Sequence, residues 1–582
     1  MPDLDVVIRG GTVVDGSADA RAATADVGIS GGKIVEVGRI TSRAKRSIDA
    51  SGLLVTPGFV DIHTHYDGQV SWDPLLSPSF HNGVTSVIMG NCGVGFAPVR
   101  KTDHDLLIKL MEGVEEIPGT ALHDGMVWDW ESFPQYLDAL DRRPHAIDVG
   151  ALLAHGALRT YVMGERAVHQ LVADPEDCQE MARLTRESMD AGAFGISSSR
   201  SLFHRSTSGE LVPGTYAEED ELVALARAVK ESGHGSFEIV PMGAGGDNFG
   251  NHINEIQLIK RVAQRGGVEV IFTLLQYNER PEAWREILDI VDEARRQGIR
   301  MRPGVFGRGV GVLFSFQSTN PFSRFPSFKP LAQMSPADRL RALRDPAVRA
   351  AILADRDPNN DEWARLSLNP WPETYVLRNG GDYEPTPDLT VEAIARREGR
   401  DPKEVGYDLM LQDEGRAFLH FPFIGYGSGD LRAVREMITH PHTVMSGSDA
   451  GAHCSTICDG AMPTFMIAHW TRDRSRGPKL PLEWMVYKQT RETALSMNMP
   501  DRGLLQPGML ADVNLIDYDN LKLLQPEYVN DLPSGAGRLV QRSSGYVATI
   551  KSGVVISENG VDTGARPGRI LRSTRSNDLA AA

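Results

Sequence analysis

Three short stretches carry residue types that could do chemistry. The first is PGFVDIHTH, residues 57–65. On an extended strand alternate side chains share a face. Asp61, His63 and His65 then point one way, and Val60, Ile62 and Thr64 the other. Two imidazoles on one side of a strand end suit a divalent metal. The same spacing is equally met by two histidines bonded to backbone or water. The second stretch is SGSDAGAH, residues 446–453, where Asp449 follows an apolar, β-branched run. An aspartate there can ligate a metal, take a proton from activated water and return it to a leaving group. On its own it can also be a helix cap. The third, GNCGVGFAPV (90–99), sets Cys92 among glycines just after a predicted strand. A thiolate there can hold metal; a buried cysteine is otherwise a packing residue.

Other polar residues fall at predicted strand ends. His155 and Arg159 sit in AHGALR, and Ser199, Arg200 and His204 in SSSRSLFHR. An arginine suits a substrate carboxylate through a two-pronged contact, with an ion pair inside the protein as the competing use. HCSTIC places His453, Cys454 and Cys458 together, as a second metal site or as a packed loop with free thiols. Gln276 and Glu238 offer oxygens at the ends of their strands. His469 reads as core, and Arg472, Arg474 and Arg476 as a solvated loop.

The elements that must position these residues alternate along the chain. Strands are expected in GFVDIHTH, GVTSVIMGN, IDVGALLAH, GAFGISSS, GSFEIVPMG, VEVIFTLLQ, GIRMRPGVFG and HTVMSGSDA. Amphipathic stretches such as DCQEMARLTRESMDAG separate most of them. The fold class expected is α/β, a TIM-like (β/α)8 barrel over residues 56–307 and 441–499. Residues 1–55 and 500–571 read as hairpins of one small β-sandwich built from both chain termini. Residues 308–440 break the rhythm and form an insert before the last barrel strand, expected over the barrel mouth. Its helical pieces include SPADRLRAL, with Ser335 as N-cap and Pro336 at the first helical position. Residues 572–582 are a tail.

The 582 residues carry 61 Lys+Arg against 77 Asp+Glu, a net charge of −16, so no nucleic-acid partner is expected. Four cysteines are too few for a disulfide scaffold. The opening MPDLDVVIRGG does not read as a signal peptide and no apolar run of about 18–20 residues occurs, so neither a leader nor a membrane span is expected and a cytoplasmic setting is.

Together these motifs resemble the amidohydrolase superfamily, and within it the N-acyl-D-amino-acid deacylase (D-aminoacylase) family. The resemblance rests on VVIRGGTVVDG, PGFVDIHTHYDGQVSWDP, NGVTSVIMGNCGVGFAPV, AHGALRTYVMG, GAFGIS, SDAGAH, RGLLQPGMLADVNLID and TGARPGRIL. It spans about the first 300 residues and everything after about 440. It implies a barrel plus β-sandwich with zinc at the barrel mouth. His63 and His65 match the metal-binding HxH pair, Cys92 the metal-ligating cysteine, and Asp449 the catalytic aspartate. The family also ligates zinc through histidines ending the fifth and sixth strands. Here those positions fall near Val240 and Leu274, which cannot bind metal, while His234 and His252 lie elsewhere.

The expected function is metal-dependent hydrolysis of a linear amide, an N-acyl-(D-)amino acid by resemblance. Asp449 serves as general base and His63, His65, Cys92 and Asp449 hold Zn2+, one ion in preference to two. His155, Arg159, Arg200, His204, Gln276 and His453 are the candidate substrate contacts. The partner expected is a small-molecule amide, and self-association into a homo-oligomer is left open. The alternatives are a cyclic-amide hydrolase of hydantoin or imide type, and a non-catalytic scaffold on a decayed barrel.

Overall fold

The computed structural model describes residues 4–246, 250–359, 369–378 and 380–574. Its centre is a set of short strands that are buried on both faces. Val84–Met89 is buried at all six positions, as a parallel strand covered on both sides must be. Phe59–Asp61, Val84–Met89 and Asp148–Ala151 pair in parallel in that order. Leu153–Ala154 follows directly on the third of these. It opens a second parallel series through Gly195–Ser199, Ser236–Val240, Val270–Thr273, Met301–Val305 and Val444–Met445. A parallel bridge between Thr64 and Ala450 links the last strand back to the first. Every strand expected for this region is present.

Helices connect the strands and carry clear start signals. Pro175–Asp190 begins behind a reciprocal cap of Asp174 and Asp177, with proline in the first turn. Phe133–Asp141 uses Ser132 and Gln135 in the same way.

Both termini build one sheet. Leu4–Val13, Ala23–Ser30, Lys33–Gly38, Ala44–Asp49 and Leu54–Pro57 come from the N-terminal side. Val513–Ile516, Tyr546–Lys551, Val554–Glu558 and Val561–Asp562 come from the other. The two halves meet where Leu54–Pro57 pairs antiparallel with Val513–Ile516. The hydrogen-bonded path is a single nine-stranded sheet. Its core holds Val27, Ile29, Val513 and Ile550.

A buried charge cluster fastens this sheet to the ring. Asp148, on the third strand, takes Lys551 Nζ at 2.7 Å and Arg502 at 2.8 Å. Lys551 also meets Asp512 at 2.9 Å.

The insert has its own apolar core, including Phe314, Phe322, Trp371 and Tyr407. Helices Pro336–Leu343, Pro346–Ala354 and Val391–Glu398 form there, the first capped by the Ser335 side chain. The insert also holds a three-stranded antiparallel sheet of Val310–Phe314, Tyr375–Val376 and Leu419–Ile424, which was not expected from the sequence. Their aromatic and β-branched residues satisfy their backbones against one another. Two further expectations are corrected here. Arg474 is no solvated loop residue but a buried partner of Glu384 at 3.0 Å. His469 is not plain core; its Nε2 meets the same carboxylate at 3.0 Å. No helix among the described residues is long and apolar enough to cross a membrane.

Candidate active site

His63 and His65 extend beyond the first strand of the ring, and the backbone between them is fixed on both sides. Thr64 N–H donates to Ile88 O at 3.1 Å and His65 N–H to Ala450 O at 2.8 Å. Alternation then turns both imidazoles to one side. His63 Nε2 lies 3.3 Å from Cys92 Sγ and His65 Nε2 3.9 Å from it. Asp449 Oδ1 lies 3.3 Å from His63 Nε2 and 3.7 Å from His65 Nε2.

Three residues here hold the left-handed backbone that side chains rarely adopt. The φ angles are +56° at Cys92, +45° at Asp449 and +50° at His453. Such strain persists only where surrounding structure over-determines it. At Cys92 the fixing contacts are visible. Its N–H donates to Glu238 Oε2 at 3.1 Å. The next residue must be glycine, since a Cβ on Gly93 would fall 2.8 Å from Ser199 N. Asp61 joins the first and last strands by accepting the Ser448 hydroxyl and, at 3.3 Å, the His63 N–H.

Burial sets the protonation states. It drives His63 down to about 4, so that ring is neutral. Burial opposes charge on His65 too, but the Glu115 and Asp449 carboxylates outweigh it and push that ring up to about 9. Asp449 is held well below the usual carboxylate range: burial would raise it, yet His65 and His63 prevail. Burial, aided by Glu238, raises the Cys92 thiol well above its ordinary value. Burial likewise lifts Glu238 to about 8.

Three of these side chains, His63, His65 and Cys92, fit one divalent ion, and Asp449 stands beside both imidazoles. Tetrahedral ligands at about 2.0–2.3 Å from a metal are separated by about 3.3–3.7 Å. The four spacings among two nitrogens, a sulfur and an oxygen given above run from 3.3 to 3.9 Å. His63, His65 and Cys92 converge as a possible ligand group. Glu238 Oε1, buried beside them, makes no hydrogen bond among the described residues. No histidine occupies the ends of the fifth and sixth strands. Val240 lines the cavity and Leu274 is core. His234 bonds Ser573 instead, at 3.0 Å.

A cavity of about 510 Å³ opens over this centre. His204 and His453 line it. The other four expected substrate contacts do not, and each has a physical reason. His155 is wholly buried, with Nδ1 on Ser198 Oγ and Nε2 on Glu221, both at 2.9 Å. Arg159 is locked on the same Glu221 at 2.8 Å and on the Leu171 carbonyl. Arg200 pairs with Glu255 at 2.5 Å and with the Ala217 carbonyl at 2.8 Å. Gln276 Nε2 donates to Pro281 O and Ser428 Oγ, both at 3.0 Å.

The Glu221 cluster has a pH signature. Burial would raise its pKa, but His155 and Arg159 hold that carboxyl at about 2, below its ordinary 4.5. A depressed carboxylate stabilises the fold above about its unfolded value and loses that contribution as pH falls towards the folded one. Glu221→Gln is therefore expected to lower the urea midpoint more at pH 6 than at pH 3. Equal losses at both would contradict this pairing.

One contribution was not legible in sequence. Glu115 ends the helix His104–Glu115, where a carboxylate normally faces water. Here it is buried, with Oε1 3.2 Å from His65 Nδ1. The insert supplies apolar wall to the cavity through Val310, Val312, Phe423 and Ile424.

A ring of parallel strands with imidazole, thiol and carboxylate converging beyond their ends defines a class of metal-site hydrolase scaffolds. The amidohydrolase family model matches residues 46–557, and the chain belongs to that family. It is accordingly a hydrolase of carbon–nitrogen bonds other than peptide bonds. D-aminoacylase of Alcaligenes xylosoxydans xylosoxydans is 25% identical over 577 residues, covering 98% of each chain. N-acyl-D-aspartate deacylase of the same organism is 26% identical, covering 97% of this chain and 95% of that one. Among solved structures, N-acyl-D-glutamate deacylase from Bordetella bronchiseptica, complexed with zinc and a phosphonate inhibitor, matches with a TM-score of 0.63. It is 21% identical and is covered completely by 98% of this chain.

Proposed function

We propose that the chain hydrolyses a linear amide at a single divalent metal, zinc by preference, held by His63, His65, Cys92 and Asp449. The observation that carries this reading is the convergence of His63, His65 and Cys92 below the cavity, with Asp449 beside both imidazoles. The closed run of strands is read as the TIM-like (β/α)8 barrel, with the sheet of both termini as its β-sandwich companion. A divalent ion in such a site acidifies water and polarises a carbonyl.

The chain's own residues do the rest. Asp449, ionised and beside the imidazoles, accepts the proton of the attacking water and returns it to the departing amine nitrogen. Water and amide thereby become a carboxylic acid and an amine. His63 is neutral through burial and offers its nitrogen lone pair without losing a proton. Glu115 Oε1 stands 3.2 Å behind His65, at its far ring nitrogen, as a neighbouring buried charge. Glu238 fixes the strained Cys92 backbone that presents the thiol. The relatives' names bring N-acyl-D-amino acids as the linear amides to test first, the acyl half lying against the apolar wall from the insert.

The test is metal content. Protein purified without added metal is expected to carry about one divalent ion per chain by elemental mass spectrometry. His63→Ala/His65→Ala is expected to lose it. A metal-free wild type that stays inactive when metal is supplied would sink the proposal.

A further inference from the structure

The charge of the cavity narrows the substrate. We infer that the amide taken by this site carries no free carboxylate on its amine half, which is neutral or cationic. The inference rests on the hydrolase reading above and replaces its first candidate class, the N-acyl amino acids with a free carboxyl.

A carboxylate leaving water needs a cation or several N–H donors. Among the described residues no arginine and no lysine lines the cavity. The arginines that follow strands of the ring are spent elsewhere, Arg159 on Glu221, Arg200 on Glu255 and Arg308 on Asp459. The charged side chains that do line the cavity, besides Asp449, are Glu115, Glu116 and Glu279. The metal centre does not offset them. A divalent ion held by one thiolate and one carboxylate is neutral overall, so it leaves no surplus positive charge for an anion. The remaining wall mixes apolar side chains such as Val240, Leu275, Phe306 and Phe423 with uncharged polar ones such as Ser201 and Asn278 and the imidazoles of His204 and His453. A substrate carboxylate would face three further carboxylates and no arginine or lysine among the described lining residues. An N-acyl amine, or an N-acyl amino acid whose carboxyl is itself an amide, meets no such penalty and leaves the acyl chain its apolar wall.

The experiment compares matched pairs on the full chain loaded with zinc: N-octanoyl-phenylalanine and N-octanoyl-phenylalanine amide, each as both enantiomers. The expected result is kcat/KM at least tenfold higher for the neutral amide than for the acid of the same hand. Binding is read separately by calorimetry on the zinc-loaded native chain with the non-hydrolysable N-octylsulfonyl-phenylalanine and its amide, where the acid is expected to bind at least tenfold more weakly. Preferential cleavage of the acids would overturn the inference and leave the hydrolase reading standing. Cleavage of none of the four, with the tenfold binding difference intact, would overturn the hydrolase reading and keep the inference. Equal binding of acid and amide would overturn the inference whatever the rates.

Discussion

Asp449→Asn is expected to cut kcat about 10³-fold while leaving most of the metal in place. The amide has nearly the shape of the carboxylate and keeps one oxygen for the ion. What it loses is the ability to accept and return a proton. In the native site that ability is secured by the two imidazoles at 3.3 and 3.7 Å, which keep the carboxyl ionised. Metal analysis and steady-state rates on the same preparation separate the two roles. A near-normal rate would mean that another group moves the proton. Loss of metal and rate together would make Asp449 chiefly a ligand.

The second large effect lies far from the cavity. Asp148→Ala is expected to destabilise the protein by about 3–5 kcal/mol, because breaking a buried ion pair strands its partners. The side chains of Asp148 and Lys551 are both fully buried, 0% exposed, and Arg502 is nearly so. Removing the carboxylate leaves Lys551 with Asp512 alone and gives Arg502 a buried gap. The comparison is Asp5→Ala, whose partner Lys45 is exposed; an exposed pair contributes about 0–1 kcal/mol. Thermal unfolding midpoints of the two variants should differ by several degrees. A drop for Asp148→Ala no larger than that for Asp5→Ala would show that the cluster does not fasten the sheet to the ring.

Much of this architecture was readable from the chain alone, because the signals were local and periodic. His63 and His65 two residues apart, Cys92 in a glycine-rich turn and Asp449 after a short apolar run all follow predicted strands. Placing them at strand ends brings them together. The two terminal hairpin regions declared themselves by alternation and Gly-Gly turns. What failed had a common cause: an ionisable residue's partner is set by tertiary structure. Arg159 and Arg200 have the sequence context of substrate clamps, yet each closes a buried pair with a glutamate from another helix, Glu221 and Glu255. Glu115 reads as the polar end of an amphipathic helix and instead backs a histidine. The insert sheet was hidden because its strands lie far apart in sequence, Val310–Phe314 meeting Leu419–Ile424.

The sheet shared by both termini sets a timing problem for the nascent chain. Leu54–Pro57 is an early strand, but one of its neighbours, Val513–Ile516, is made about 460 residues later. At roughly 5–20 residues per second, that edge waits about half a minute to a minute and a half on the ribosome. Its backbone N–H and C=O groups are meanwhile open to any other strand. A ribosome that stalls or terminates before Val513 releases a chain that can complete much of its ring but never its sheet. Such fragments, rather than the finished protein, are where aggregation and quality-control degradation should concentrate during expression.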